Sequence, residues 1–255
     1  FKLDFENLRI ASVLGRIGLA WSIAAVLYLN FGVKTRAAIA VAVLAGYGAL
    51  SALVAAPDAA GAGPLTFEGN LAGYIDRQFL PGKLIYGSFD PEGLLSTVPA
   101  VVTAMLGMFT GEFVRRGDIR GGRKTLWMAA AAAALLAAGL AFSGVLPVNK
   151  KLWSSTFVCV VGAYSLGMFA LFYYLIDVRG WRRWTLFFRV VGLNSITIYL
   201  AQRIVGFGRI SDFFLGGIAS RCPEAVAAVI SSAGYVAVCW LFLYFLYRKN
   251  VFLKV

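Results

Sequence analysis

The chain alternates long apolar stretches with short polar ones. Each apolar stretch has about 20 residues, the length that an α-helix needs to cross roughly 30 Å of hydrocarbon. Charge clusters or glycine, proline and asparagine bound these stretches, as they bound helices. The pattern predicts seven membrane-spanning helices, at 9–29, 36–56, 94–114, 125–146, 155–176, 186–205 and 225–247. The predicted fold class is all-α, a polytopic transmembrane helical bundle forming one domain over residues 1–255.

Composition agrees with a membrane protein and restricts its chemistry. Of the 255 residues, 60% are hydrophobic and 14% are charged. The chain has no histidine, which excludes histidine metal ligands and histidine general bases within it. Cys159 and Cys239 lie inside apolar stretches and Cys222 stands alone, so no disulfide framework is expected. The sequence therefore predicts no metal site.

The net charge of +12 bears on orientation rather than on nucleic acid, because no nucleic-acid-binding motif is present. Lysine and arginine gather in cytoplasmic loops of membrane proteins. One set of loops is the more basic, and it holds Lys34, Arg36, Arg115, Arg116, Arg120, Arg123, Lys124, Arg179, Arg182, Arg183, Arg248, Lys249 and Lys254. The pattern predicts a cytoplasmic C-terminus. It places residues 57–93 on the extracytoplasmic side, and that side as a whole holds most of the acids.

The N-terminus is expected to follow further helices. The chain begins with Phe1, Lys2, Leu3 and Asp4 and has neither an initiator methionine nor a signal-peptide pattern. The predicted orientation also places residue 1 outside. We therefore expect that upstream spans are missing from this chain and that the chain alone turns over poorly.

The predicted extracytoplasmic segment 57–93 carries an unusual density of charge for so apolar a chain. A structural interpretation makes Asp90 the N-cap of the next helix and pairs Asp76 with Arg77. A functional interpretation notes that carboxylates beside aromatic rings suit a sugar, whose hydroxyls need acceptors and whose CH faces need a stacking surface. The residues involved are Asp76, Arg77, Lys83, Asp90 and Glu92, with the rings of Tyr74, Tyr86 and Trp153.

Polar residues also occur within and beside the predicted spans. Arg16 lies inside the first span, where a charge either faces a cavity or reaches back to the interface. Ser195, Tyr199 and Gln202 share one helical face, with Asn194 beside it, as helix–helix contacts or the lining of a polar path. Asn149 and Lys150, just before Trp153, are either an interface anchor or part of a binding site.

Several motifs, in this order, resemble one family. They are VLGRIGLAW, GYIDR, DPEGLLSTVPAVVTAMLG, PVNKKLWSSTFV, DVRGW followed by GLNSITIY, and the closing YRKNVFLKV. Together they extend over residues 9–255 and are similar to the heparan-α-glucosaminide N-acetyltransferases, the lysosomal transmembrane enzyme and its bacterial relatives. In that family the proposed catalytic histidine belongs to an upstream loop, and Gln202 stands where the lysosomal relative has a histidine.

The resemblance implies a membrane enzyme that moves acetyl from cytosolic acetyl-CoA to an amino sugar or glycan amine on the other side. The catalytic residue of this chain is unknown. The candidate acyl-CoA-binding residues are Arg16, Asn194, Ser195 and Tyr199. The candidate acceptor-binding residues are Asp76, Arg77, Asp90, Glu92, Asn149, Lys150 and Trp153.

Two other classes of function compete with the acyltransferase. A secondary transporter would use the intramembrane polar residues as a midplane site, although the sequence shows no inverted repeat. A structural scaffold explains neither the charged loop nor the polar stripe. The expected surroundings are membrane lipid, in a bacterial inner membrane or a lysosomal membrane, with no nucleic acid. The small residues at 129–140 favour close helix contacts, so a homodimer is a further expectation.

Overall fold

The computed structural model describes residues 8–253, so Lys2 and, from the basic loops, Lys254 lie outside the described residues. Most of the described residues are helical, and they form no β-strand. Among them, six helices are long and apolar enough to cross a membrane, and a bent helix pair makes a seventh span if it is counted as one. The predicted all-α transmembrane fold is confirmed. The chain divides into two compact units at Arg179 and Gly180.

The first unit contains five of the long helices. They are α1 (Val13–Asn30), α2 (Val33–Leu53), α4 (Leu94–Arg115), α5 (Gly121–Ala141) and α6 (Ser155–Tyr173), and a π-helical turn at Tyr174–Val178 extends α6. Side-chain caps fix two helix starts, because Ser12 accepts from Gly15 N and Ser154 accepts from Phe157 N. The first span therefore begins at Val13, four residues later than predicted.

Small side chains form much of the core of this unit. Alanines of α1, α2 and α4 pack with Val102, Met105 and Val158. Lipid tails are as apolar as leucine side chains, so the hydrophobic effect does not drive membrane helices together. They associate through close van der Waals contact instead, and small residues allow that contact. The result is a tight α1–α2–α4 group with α5 and α6 packed along each other beside it.

The segment between α2 and α4, residues 54–93, is ordered rather than a plain loop. It contains a short helix, α3 (Leu71–Phe79), whose start is capped by the Asn70 side chain. Isolated β-bridges join Ala55 to Asn70 and Arg9 to Gly82. Gly82 has φ +85°, and a Cβ there would lie 2.0 Å from Leu8 O, so the close approach requires glycine. These contacts hold residues 54–93 in place. We call this segment, together with the start of α4, the loop end of the first unit.

The second unit corrects one prediction and contains one helix that was not predicted. The sequence predicts the sixth span as one helix at 186–205, but a break at Asn194 separates α7 (Leu186–Leu193) from α8 (Ser195–Ile204). The helical segments Arg183–Leu193 and Ser195–Ile204 are bent by 59° relative to each other. Asn194 leaves helical geometry at φ −129° and ψ 28°. The hydropathy pattern predicts no helix between the last two spans, but the chain forms α9 (Phe207–Ala219) there, before α10 (Glu224–Arg248).

Candidate functional site

The most heavily bonded part of the loop end is an ion-pair group of Arg9, Asp90 and Glu92. Arg9 binds Asp90 bidentately, with Nε to Oδ2 and Nη2 to Oδ1 both at 2.7 Å, and Nη2 also pairs with Glu92. The Asp90 side chain has 0% exposure, and the Glu92 side chain has 16%. Burial alone would raise the pKa of Asp90, but hydrogen bonds from Arg9, Glu92 N and Ile85 N hold that pKa below its ordinary value.

Asp76 stabilises the start of α4 from a different helix. Its Oδ1 accepts from Leu94 N at 3.0 Å and its Oδ2 accepts from Asp90 N at 3.1 Å. A Cβ at Gly93, the N-cap residue of α4, would lie 2.1 Å from Asp76 Oδ2, so only glycine leaves room for this carboxylate. The predicted N-cap role of Asp90 is therefore wrong, because Gly93 is the N-cap residue and Asp76 supplies the carboxylate there.

Burial raises the pKa of Asp76, although the two backbone N–H donors partly offset the effect. The residue is 0% exposed. A carboxylate with both oxygens bonded to backbone and no accessible surface cannot touch a substrate in this conformation. Its position indicates that it holds residues 90–94, and with them Glu92, in place.

Arg16 lies beside the same group rather than with the other candidates for acyl-CoA binding. It occupies the first turn of α1, is 7% exposed, and donates to Ser96 Oγ at 2.8 Å and to Pro91 O. Its guanidinium lies 4.4 Å from the centre of the Trp153 ring. The structure thus brings Arg16 together with the acceptor candidates of the 90–92 segment.

Arg77 and Asp76 are sequence neighbours but not an ion pair. Arg77 binds Asp58 instead, with Nε–Oδ2 at 2.8 Å and Nη2–Oδ1 at 2.6 Å, and also donates to Ser88 O. Hydrogen bonding to Arg77 holds the pKa of the Asp58 carboxyl below its ordinary value. A cavity of about 420 Å³ opens here, lined by Asp76, Arg77, Leu80, Gly82, Lys83, Leu84, Ile85 and Gly87.

The α5–α6 connection supplies the remaining acceptor candidates. Asn149 Oδ1 accepts from Lys151 N at 2.8 Å and so shapes the turn, while Lys150 is exposed. Trp153 is half-buried, donates to Thr103 Oγ1 at 3.2 Å and packs edge-on against Phe157. Lys151 lies 4.4 Å above the ring of Tyr86, which joins this connection to the 54–93 segment. Trp153 is thus the candidate of this connection that lies nearest the ion pairs, through Arg16.

The second unit holds the other candidates around the break between α7 and α8. Asn194 is 1% exposed; its Oδ1 accepts from Thr197 at 3.3 Å, and its buried Nδ2 has no partner in the described part of the chain. Ser195 is exposed, as is Tyr199 at 42%. Gln202 reaches the Cys239 sulfur of α10. An unsatisfied buried amide is costly, and this one lies at the helix break.

Sequence reasoning missed several partners in the first unit. Arg9 stands at the start of the first predicted span, 81 positions before Asp90, and a single sequence carries no local signal of a pairing over that separation. Ser96 and Thr103 lie inside an apolar span, where hydropathy hides them. Among residues 8–253, no group of three or more histidine, cysteine or acidic residues could hold a metal ion.

The fold and the buried charges define an integral membrane protein of the polytopic helical class, with an ordered charged segment over one end. The chain is 29% identical over 208 residues to heparan-alpha-glucosaminide N-acetyltransferase of Homo sapiens, and 27% identical over 205 residues to that of Mus musculus. Each match covers 73% of this chain and 30% of the relative's length. The resemblance seen in the motifs is confirmed. No family model matches the chain.

Proposed function

We propose that this chain is part of a transmembrane acetyltransferase that moves an acetyl group from cytosolic acetyl-CoA to the amine of an amino sugar or glycan on the opposite side of the membrane. The observation that carries the proposal is the similarity, over 73% of the chain, to proteins named as N-acetyltransferases. Two sets of polar candidate residues support it, because a donor and an acceptor each need polar groups to bind them.

The acceptor site of the proposal lies at the loop end. Glu92 is the acid of the ion-pair group that keeps some exposure, and it can attract an ammonium or accept hydrogen bonds from sugar hydroxyls. Asp90 and Asp76 hold the backbone that carries Glu92, and the further acceptor candidates are Arg77, Asn149, Lys150 and Trp153. Arg16 belongs to this group, since it binds Pro91 O and stacks on Trp153.

The donor site of the proposal lies at the break between α7 and α8. The thioester carbonyl of acetyl-CoA would accept a hydrogen bond from Asn194 Nδ2, a buried donor with no partner among residues 8–253. Ser195 and Tyr199 lie next to it on the exposed side of α8. Arginine and lysine of the basic loops would hold the CoA phosphates.

The chemistry transfers one acyl group. The free amine attacks the thioester carbonyl, the carbon–nitrogen bond forms, the carbon–sulfur bond breaks, and CoA leaves as a thiol that takes up a proton. Negative charge develops on the carbonyl oxygen, and a fixed amide donor stabilises it. The acceptor ammonium must first lose a proton to a base, because only the neutral amine is nucleophilic.

Sealed vesicles test the proposal directly. The whole protein of which this chain is proposed to be part is reconstituted with glucosamine inside and labelled acetyl-CoA outside, and labelled N-acetylglucosamine is measured in the lumen. Product inside, absent from protein-free vesicles, is the expected result. Labelled acetyl-CoA that enters the vesicles, or glucosamine that leaves them without being acetylated, would instead identify a transporter.

Replacing Asn194 with alanine is expected to lower acetyl transfer much more than stability. Deleting one donor to a developing oxyanion typically costs roughly 100-fold in kcat. Stability should change by only about 1 kcal/mol, because the hydrogen bond lost within the protein is the 3.3 Å contact from Thr197. Rates and thermal unfolding are compared with those of Asn30→Ala, which removes an exposed amide. Full activity of a folded Asn194→Ala protein would contradict the donor-site assignment.

Replacing Glu92 with glutamine is expected to raise the KM for the amine several-fold and to leave CoA binding unchanged. Glutamine keeps the shape of the side chain but removes the charge that attracts the ammonium. Glu68→Gln is the matched control, because Glu68 is an exposed acid of the same segment. Initial rates at varied amine, with CoA affinity measured separately, check the result. Weakened CoA binding in Glu92→Gln would place this residue in the donor site.

A further inference from the structure

An apolar groove lies between α4, α5 and α6 of the first unit. Its volume is about 790 Å³. It exists because α5 packs along α6 for its full length but meets α4 only sparingly. The residues that line it are Thr103, Leu106, Gly107, Phe109, Thr110, Gly111, Phe113, Trp127, Met128, Ala131, Leu135, Gly162, Ser165, Leu166 and Phe169.

The groove has the length of one membrane leaflet. On α4 it runs from Thr103 to Phe113, which at 1.5 Å per residue is about 15 Å, half of the roughly 30 Å hydrocarbon thickness. Its lining is almost wholly apolar. A Cβ at Gly107 or Gly111 would meet nothing within 4 Å, so these glycines leave open space along α4. The dimensions fit a single hydrocarbon chain lying along the helices.

The end of the groove farther from residues 54–93 is strongly basic. On α4, Gly107, Gly111 and Arg115 recur every four residues, so Arg115 continues the groove face by one turn. On α5, Ala131 and Trp127 line the groove, and Arg123 continues that face by one turn. Two guanidinium groups therefore stand where the apolar lining stops.

Both arginines are available to an anion. The side chains of Arg115 and Arg123 are exposed, and no acid of the described residues pairs with them. Their neighbour Arg116 does have a partner, since it binds Asp118 at 2.6 Å. Lys124 is buried and donates to Val114 O, which closes the α4–α5 turn beneath them. Trp127, 64% exposed, lies at the same level, where aromatic residues meet the membrane interface.

We propose that this groove binds an anionic phospholipid, with one acyl chain along α4 and the phosphate between Arg115 and Arg123. Apolar length for half a bilayer, ending at two uncompensated positive charges, matches the shape and charge of such a lipid. Basic pockets between membrane helices recognise anionic head groups in this way. The bound lipid would fill the gap between α4 and α5.

Lipid selectivity tests the head-group part of the proposal. The protein is purified in nanodiscs that contain phosphatidylglycerol and phosphatidylcholine, released into the gas phase, and the retained lipids are counted by native mass spectrometry. We expect the double variant Arg115→Gln/Arg123→Gln to lose at least fivefold of the preference for phosphatidylglycerol. Arg116→Gln/Arg120→Gln is the matched control, since it removes the same charge from residues outside the helices.

Filling the groove tests the acyl-chain part. Gly111→Leu places a side chain into open space and should reduce retention of both lipids, whereas Gly122→Leu, on the first turn of α5 and outside the groove, should not. Equal selectivity of the two double variants would overturn the proposal. So would displacement of the retained lipid by free CoA, or a dimer whose second copy protects Gly111 and excludes lipid.

Discussion

Replacing Asp76 with alanine is expected to destabilise the folded first unit by about 2–5 kcal/mol. The substitution leaves the backbone N–H groups of Asp90 and Leu94 without acceptors in a buried site, and each such group costs about 1–3 kcal/mol. Equilibrium unfolding in detergent, followed by tryptophan fluorescence, measures the change. Asp76→Asn should lose less, because its one remaining carbonyl oxygen can still accept.

Two comparisons make the Asp76 result specific. Asp58→Ala removes an exposed acid from the same segment and should change stability little. Because burial raises the pKa of Asp76, the folded protein binds this proton more tightly than the unfolded chain. The contribution of Asp76 to stability therefore falls as the pH rises from its ordinary pKa to the raised one, and Asp76→Asn should lack this fall. A stable Asp76→Ala protein would show that these N–H groups find other acceptors.

Hydropathy predicted the long helices well because membrane spans are selected by length and apolarity alone. The same criterion could not find α3, a nine-residue helix in a polar segment, or α9, which at 13 residues is too short to cross hydrocarbon. It also passed over the break at Asn194, since the flanking residues are apolar enough to read as one span. The local signal was present in the polar Asn194 and Ser195, but hydropathy averages it away.

The candidate site was predictable in its residue types and not in its pairings. Charges in 76–92 pointed to a functional or structural cluster, and the structure indeed gathers Asp76, Asp90 and Glu92. Their partners come from elsewhere in the chain. Arg9 lies 81 residues before Asp90, and Arg16 lies 80 before Ser96, so only the packing of α1 against α4 brings them together. A single sequence carries no signal for contacts at that separation.

In the proposed function Glu92, not Asp90, meets the amine substrate, and the pairing of Arg9 with Asp90 explains this difference. Asp90 takes both bidentate hydrogen bonds of the guanidinium and two backbone donors, so its charge is fully compensated. Glu92 shares the remaining capacity of the same Arg9 nitrogen and keeps part of its surface exposed. In the proposed function, this remaining exposure is what lets Glu92 meet the acceptor.

Replacing Arg9 with methionine is accordingly expected to have the second large effect, a loss of roughly 1.5–3 kcal/mol in stability together with a raised KM for the amine. Hydrogen bonds to charged groups contribute about that much, and methionine keeps the apolar stem while leaving the Asp90 carboxylate buried without its counter-charge. Arg116→Met, which breaks an exposed pair, is the matched control.

The pH dependence separates this electrostatic cause from simple loss of packing. Arg9 holds the pKa of Asp90 below its ordinary value, so the stabilisation by the pair is fully present above that ordinary value. It is lost as the pH falls through the lowered folded-state pKa, because protonated Asp90 no longer attracts Arg9. The difference in unfolding free energy between the native protein and Arg9→Met should therefore shrink steadily on acidification. A difference that stays constant from neutral to acid pH would mean that Arg9 acts through its packing, and that Asp90 does not depend on it for charge compensation.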